Sequence, residues 1–521
     1  MGRPGTREHA HRPGGRRRRR PVLSSDEPRF APSPARDHRA QVAGLDLQTA
    51  TIGDLQAALT AGRLTAVELA ETYLDRIAHD DGRTNSVREV SPTALDHAHT
   101  LDNERQAGIV RGPLHGIPVL LKDNIGTADQ PTTAGSFALE GLLVHHDAFV
   151  TARLRDAGAV VLGKTNLSEF ANWVDPSMPN GFSSLGGQVS CAYRFGDPSG
   201  SSSGSGVAGS MAFAAGTIGS ETSGSILSPS DVNGLVGVKP TRGLVSRAGI
   251  VPLAEGFDSA GPMTRTVVDA AALLTAIAGP DPDDPATDAA PSVDYSAALL
   301  GATLTGARLG WSPPVRDALE AGPRALYDAA LADLTRLGAV LVATDALDAA
   351  GELGKTELDL IPEDFKANLD HFLATCAPVP LSGVRSLQDI VRHNAAHPER
   401  MPYGQSLLVT SAATAGDRQA AAARALTLRT AQAAVIDAGL ARDGLRAYIA
   451  PGAAWSNIGA SAGYPSVIVP AGIVDGTTPM GLSFLGTAWS EPSLLALAAA
   501  YENGTRRRVP PAVVNPDVAT G

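Results

Sequence analysis

The chain has 521 residues, 43% of them hydrophobic, which is enough for several domains or for one large α/β body with a sizeable core. Aromatic residues make up only 4%, a thin supply for any base-stacking surface. The net charge of −11 is uneven: residues 1–44 hold 11 Arg against 4 Asp/Glu, so the remainder carries −18. That acidic remainder argues against a nucleic acid or an anionic membrane as partner. No apolar run reaches the roughly 18 residues of a membrane span. Arg16–Arg20 is followed by no apolar stretch of the signal-peptide kind, and Cys191 and Cys376 stand far apart with no CxxC. A soluble cytoplasmic protein is expected.

Residues 1–44, rich in Arg, Pro and Gly and without hydrophobic periodicity, predict a disordered extension. Folding is expected to begin near Leu45. Thr51 and Thr65 have the character of helix N-caps, with Asp54 and Glu68 three residues on, and Leu69, Ala70, Tyr73, Leu74 and Ile77 mark an apolar helical face. A further capped helix follows Thr266 and Asp269. Short apolar runs predict buried strands at 117–121, 159–162, 307–311, 339–342, 447–450 and 466–469, with helical stretches between them. The fold class is therefore α/β, with a large mainly parallel or mixed β-sheet flanked by helices on both faces. Asp281–Pro291, dense in Asp and Pro, predicts a surface loop or linker. Residues 351–430 predict a polar helical insertion that shapes a pocket, and 506–521 a flexible C-terminal tail.

Ser199–Ser230 is the most informative stretch. A Gly/Ser linker would not contain Val207–Ala215, a run of small and apolar residues suited to a buried helix. Two serine-bearing loops, Gly200–Gly204 and Ser220–Ser225, bracket that helix, the first at its N-terminus, where unpaired N–H groups gather. Gly200–Gly204 also fits the nucleophile-elbow pattern around Ser202, but an elbow enzyme needs a downstream acid and histidine. Beyond Ser225 the only histidines are His371, His393 and His397, all in the polar insertion and expected to be solvated. His393 and His397 do not frame a metalloprotease motif, because Asn394 follows the first. His115, just before a strand, has the place of a structural residue. With no histidine base in view, lysine is the alternative, and the chain has five lysines against 38 arginines. Lys122, at the end of a buried strand, can lose its proton when desolvated, as a guanidinium cannot. An ordinary ion pair with Asp123 is an equal reading on composition, with Lys164 and Lys239 as rivals.

At these residues the chain resembles the amidase signature family. The family's Gly-Ser-Ser loop and its Gly-Ser-Ile segment are met from Pro198 to Ile226 without a gap, and Ser225 follows Ser201 by 24 residues. The family's lysine motif corresponds to Gly116–Asn124. Further similar segments are Leu162–Glu169, Gly234–Thr241, Asp258–Met263, Ala462–Pro465 and Gly481–Gly486, so the resemblance runs from about residue 45 to 505, taken as one domain. It implies a serine hydrolase of carboxamide bonds with no cofactor and no metal. In that scheme Ser225 is the nucleophile, Ser201 a bridging serine after a cis peptide bond, and Lys122 the base. Backbone N–H groups of Thr222, Ser223, Gly224 and Ser225 would form the oxyanion hole.

Glu221–Ile226, Gly243–Gly249 and Asp364–Leu369 look closest to bacterial peptide amidases, which implies a short-peptide or small-molecule amide as substrate and a monomer or homodimer. Three features depart from that subgroup. Ser223 stands where it usually carries Asp, Cys191-Ala192-Tyr193 replaces Asn-Pro-Tyr, and Pro451–Pro465 is shorter. Two alternatives share the motifs: the amidase subunit of an amidotransferase complex, and a non-catalytic scaffold. An elbow-type esterase using Ser202 is a third.

Overall fold

The computed structural model describes residues 41–376 and 382–519, together with the first two. The Arg-rich extension expected to be disordered lies almost wholly outside the described residues. Eleven strands form one sheet. In chain order they are β1 (Val87–Val90), β2 (Pro118–Lys122), β3 (Val160–Thr165), β4 (Gly216–Glu221), β5 (Val236–Lys239), β6 (Ser259–Thr264), β7 (Arg308–Trp311), β8 (Val340–Ala343), β9 (Ala447–Pro451), β10 (Ser466–Val474) and β11 (Thr478–Leu485). Across the sheet the order is β8-β7-β9-β11-β10-β5-β6-β4-β2-β3-β1. The β4-β2-β3 and β8-β7-β9 pairings are parallel and the rest antiparallel, so the sheet is mixed as expected.

Every residue of β2, β3, β4, β5, β6 and β9 is buried, so both faces of the central sheet are covered. This is why β2, β3 and β9 read as short apolar runs rather than alternating ones, while β4 and β6 are buried with small and polar residues. The expected caps are present. Thr51 and Thr65 each close a capping box, with Asp54 and Glu68, on the helices Ile52–Thr60 and Ala66–Asp80, and Thr266 caps Val267–Ile277.

The helix expected within the serine-rich stretch is shorter and starts earlier. It spans Ser203–Ser210, fully buried, and Met211–Ala215 turns back into β4. Three glycines and three serines fit there because the helix packs against β2, β3 and β4, where a larger side chain has no room.

One loop expectation is narrowed to its surface-loop form, and one is corrected. Asp281–Pro291 is no linker: Asp281 accepts from the Ser246 hydroxyl at 2.5 Å, and Asp284 forms a bidentate pair with Arg247, both carboxylates buried. The segment after 505 is no loose tail. Arg508 donates to the carbonyls of Gln48 and Ser210, Asn515 donates to the carbonyl of Ala192, and Val518 is buried. Its Pro and Arg content resembles that of a solvated tail, but a groove on the body supplies acceptors for it.

The 351–430 region is helical, and it carries an apolar cluster of its own. Ile361, Phe365, Leu369 and Phe372 pack with Phe170, Val251, Leu253 and Phe257, the last three on the loop that leads into β6.

Candidate active site

The parallel pairing of β2 with β4 brings their carboxyl ends side by side, and the site is built there. Lys122 is the last residue of β2, and Ser220 and Glu221 are the last of β4. Lys122 is fully buried. Its Nζ lies 2.8 Å from Ser201 Oγ, 3.0 Å from Ser220 Oγ and 3.1 Å from the Ser220 carbonyl. Asn124, just beyond β2, donates to Ser220 Oγ at 2.9 Å. Burial lowers the Lys122 ammonium to about 7, and the carboxylates of Asp258 and Glu221 only partly offset this.

Ser201 follows a cis peptide bond from Gly200. Its carbonyl accepts from the Ser168 N–H at 3.1 Å. The next residue ties the two loops together, for the Ser202 N–H donates to the Ser225 carbonyl at 3.2 Å. Ser225 is 8% exposed, and its hydroxyl has no hydrogen bond to Ser201 or to any other described residue. The structure thus joins Lys122 to Ser201 directly and sets Ser225 beside them through the backbone.

Thr222, Ser223, Gly224 and Ser225 form the turn between β4 and the helix Leu227–Val232. Three acceptors hold this turn. Glu221 Oε2 takes the N–H groups of Ile226 and Leu227 at 2.7 and 3.0 Å, the Gly224 carbonyl takes that of Ser228, and Asp258 takes the Thr222 hydroxyl at 2.5 Å. Gly224 has φ +85°, and a Cβ there would meet Ser456 Oγ at 2.9 Å. With 226, 227 and 228 committed and the Gly224 N–H also reaching Glu221, the N–H groups of 222, 223 and 225 are the ones these anchors leave unclaimed. A narrow cleft opens beside the turn, lined in part by Asn124, Ser220, Thr222, Leu253 and Asp258.

The rival residues lie elsewhere. Ser202 is fully buried, donating to the Ser220 carbonyl at 3.0 Å and accepting from the Ser220 N–H at 3.2 Å. Lys164 donates to the Ile125 carbonyl and Thr132, and Lys239 to the Pro240 carbonyl. Asp123, the other candidate partner for Lys122, is taken by Arg88 at 2.7 Å. His115 is buried against the Leu101 carbonyl. His393 and His397 are not fully solvated, because both stack on Phe137, under Arg400. Among the described residues no group of three or more His, Cys, Asp or Glu is arranged to hold a metal ion. Sequence reasoning gave no role to Ser220 or Asp258, although both fall in segments it had singled out. Nothing in the sequence pointed to Glu357, which packs behind the turn.

The sequence matches the family described as Amidase over residues 68–438. The chain belongs to the amidase family. It is 39% identical to a probable amidase of Arabidopsis thaliana over 89% of this chain and 92% of that one. It is 34% identical to a glutamyl-tRNA(Gln) amidotransferase subunit from Salinispora tropica, over 90% of this chain and all of the relative. Among solved structures, the native peptide amidase of Stenotrophomonas maltophilia is 45% identical, with a TM-score of 0.83, over 89% of this chain and 98% of that one. The amidase is accordingly a hydrolase of carboxamides built on the expected α/β sheet. Among the described residues, no helix of the amidase is long and apolar enough to cross a membrane.

Proposed function

We propose that this amidase cleaves its substrate through an acyl-enzyme on Ser225, with Ser201 as proton bridge and neutral Lys122 as base. The observation that carries the reading is the buried Lys122–Ser201 contact of 2.8 Å. As an ammonium, Lys122 has three N–H donors for its three neighbouring oxygens and accepts nothing. As a neutral amine it donates to the two Ser220 oxygens and accepts the Ser201 proton, and Ser201 in turn draws the proton of Ser225. The Ser225 oxygen attacks the carboxamide carbon, and the N–H groups of Thr222, Ser223, Gly224 and Ser225 hold the oxyanion. The proton returns through Ser201 to the leaving nitrogen, ammonia or amine departs, and water releases the carboxylate by the same route.

The substrate proposed is the C-terminal amide of a short peptide, on the likeness to a peptide amidase at 45% identity. A second reading, the amidase subunit of an amidotransferase, draws on the relative at 34% identity and predicts an isolated chain with little activity. A cytoplasmic setting is proposed from Cys191 and Cys376, which are both unpaired.

The test is turnover of peptide amides with ammonia detection. Ser225→Ala is expected to abolish it, Ser201→Ala to reduce it by several orders of magnitude, and Ser202→Ala to leave most of it. A fluorophosphonate adduct mapped to Ser202 instead of Ser225 by peptide mass spectrometry would overturn the assignment.

A further inference from the structure

Behind the Thr222–Ser225 turn lies a buried carboxylate that this chemistry does not use. Glu357 sits just after the helix Asp348–Lys355, which packs on Ser456–Ala462, the helix whose Ser456 abuts Gly224. It is 1% exposed, and neither carboxylate oxygen has a hydrogen-bond partner among the described residues. The Ser223 side chain, half-buried and two residues before Ser225, is the hydroxyl that reaches it. Glu221, Lys239 and Asp258 are near enough for their charges to act on it. Lys239 donates to the Pro240 carbonyl, and Glu221 already serves the N–H groups of Ile226 and Leu227.

A buried acceptor without a donor is unfavourable, and burial holds the Glu357 carboxyl well above its usual range. Ser223 is the hydroxyl that faces it. A carboxylate can only accept, and a protonated carboxyl still keeps an acceptor oxygen, so a Ser223 O–H turned inward finds an acceptor in both states. Turned that way, Ser223 Oγ shows lone pairs, not a proton, to the substrate.

Resting on the proposed Ser225 chemistry, we propose that Glu357 is a positioning residue that sets specificity through Ser223. It draws the Ser223 hydroxyl hydrogen inward, so that the Ser223 oxygen accepts from an N–H beside the scissile carbonyl. The amidase is thereby directed to carboxamides and away from the matching esters, whose oxygen brings a lone pair where a donor is needed.

The test compares a peptide amide with the methyl ester of the same peptide, on the full chain. Glu357→Met keeps the volume and removes the acceptor. It is expected to lower the amide-to-ester ratio of kcat/KM at least tenfold, mainly through a higher KM for the amide, with Tm unchanged or raised because an unpartnered buried carboxyl is gone. Glu357→Asp should recover part of the ratio. Ser223→Ala removes the same acceptor from the cleft side, keeps the backbone N–H, and should lower the ratio in the same way; it decides the matter if Glu357→Met does not fold. An unchanged ratio in the folded variants overturns the inference, as does an equal loss on amide and ester accompanied by a lower Tm. If the wild-type chain releases no ammonia from any amide, it is the Ser225 reading that has failed. If the wild type turns over and only the ratio stays fixed, the failure belongs to Glu357 alone.

Discussion

At the scale of one residue, the chemistry turns on the proton of Lys122. An unperturbed lysine titrates near about 10.4 and would be almost wholly charged at neutral pH. Complete burial lowers Lys122 to about 7, against the raising influence of Asp258 and Glu221. The log of kcat/KM should therefore climb with unit slope below about 7 and flatten above it. Lys122→Arg keeps the charge but cannot deprotonate, so it should be as inactive as Lys122→Ala. Retention of more than about a tenth of wild-type turnover, against the 10²–10⁴-fold scale of general-base catalysis, would show that the proton goes elsewhere. The same shift has a sign for stability. Between about 7 and the unfolded value the unfolded chain holds a proton that the folded chain lacks, so the Lys122 contribution improves as pH rises through that window. Thermal melts of Lys122→Met should show a larger gain over wild type at pH 6 than at pH 10.

At the scale of elements, the site depends on one turn meeting two parallel strand ends. β2 supplies Lys122 and β4 supplies Ser220, and the turn after β4 swings Ser225 back over them. That turn holds Gly224 in a left-handed backbone, and a Cβ there would stand 2.9 Å from Ser456 Oγ, so that the turn or the serine must shift. Gly224→Ala should therefore displace the N–H groups of 222–225 while leaving the sheet intact. The expected result is a fall in kcat of at least about 10²-fold, the scale of losing one oxyanion donor, with a stability loss of only about 1 kcal/mol. Urea melts measured beside turnover separate the two. A variant with full kcat would show that the turn does not hold the oxyanion.

At the scale of the whole molecule, the chain closes on itself at its C-terminus. The Tyr193 hydroxyl donates to the Val509 carbonyl at 2.6 Å, and Asn515 donates to the Ala192 carbonyl at 2.9 Å. These contacts sit on the 191–196 segment that leads into Pro198–Ser201. Half-buried Arg508 links Gln48 to Ser210, at the end of the serine-rich helix. Removing residues 507–521 should thus lower Tm by several degrees, since it strips acceptors of their donors and exposes the groove beneath. A truncated chain with unchanged Tm would show that the segment is held weakly.

The sequence alone determined strands β2, β3, β9 and β10, the capped helices, the two serine loops and the lysine that ends β2. Each is written in local patterns: apolar runs of four or five residues, Thr followed three residues later by an acid, and glycines and serines too regular for a linker. It missed the buried strands β5 and β6, and β8, read as buried, is an edge strand with no buried residue. The pair Ser201 and Ser225 was legible through the family resemblance, because the pattern that carries it lies within one unbroken stretch. Composition left the lysines level, the family resemblance favoured Lys122, and the tertiary structure supplies the contacts in which the lysines and the serines differ. Lys122, Lys164 and Lys239 all end or lie in buried strands, and only the β2–β4 register puts the Nζ of Lys122 on Ser201. Ser201 and Ser202 are neighbours in chain, yet one side chain meets Lys122 and the other is turned onto the backbone of Ser220. Glu357 was invisible for the same reason. Its meaning comes from burial behind Ser223, and burial is fixed by contacts more than a hundred residues away along the chain.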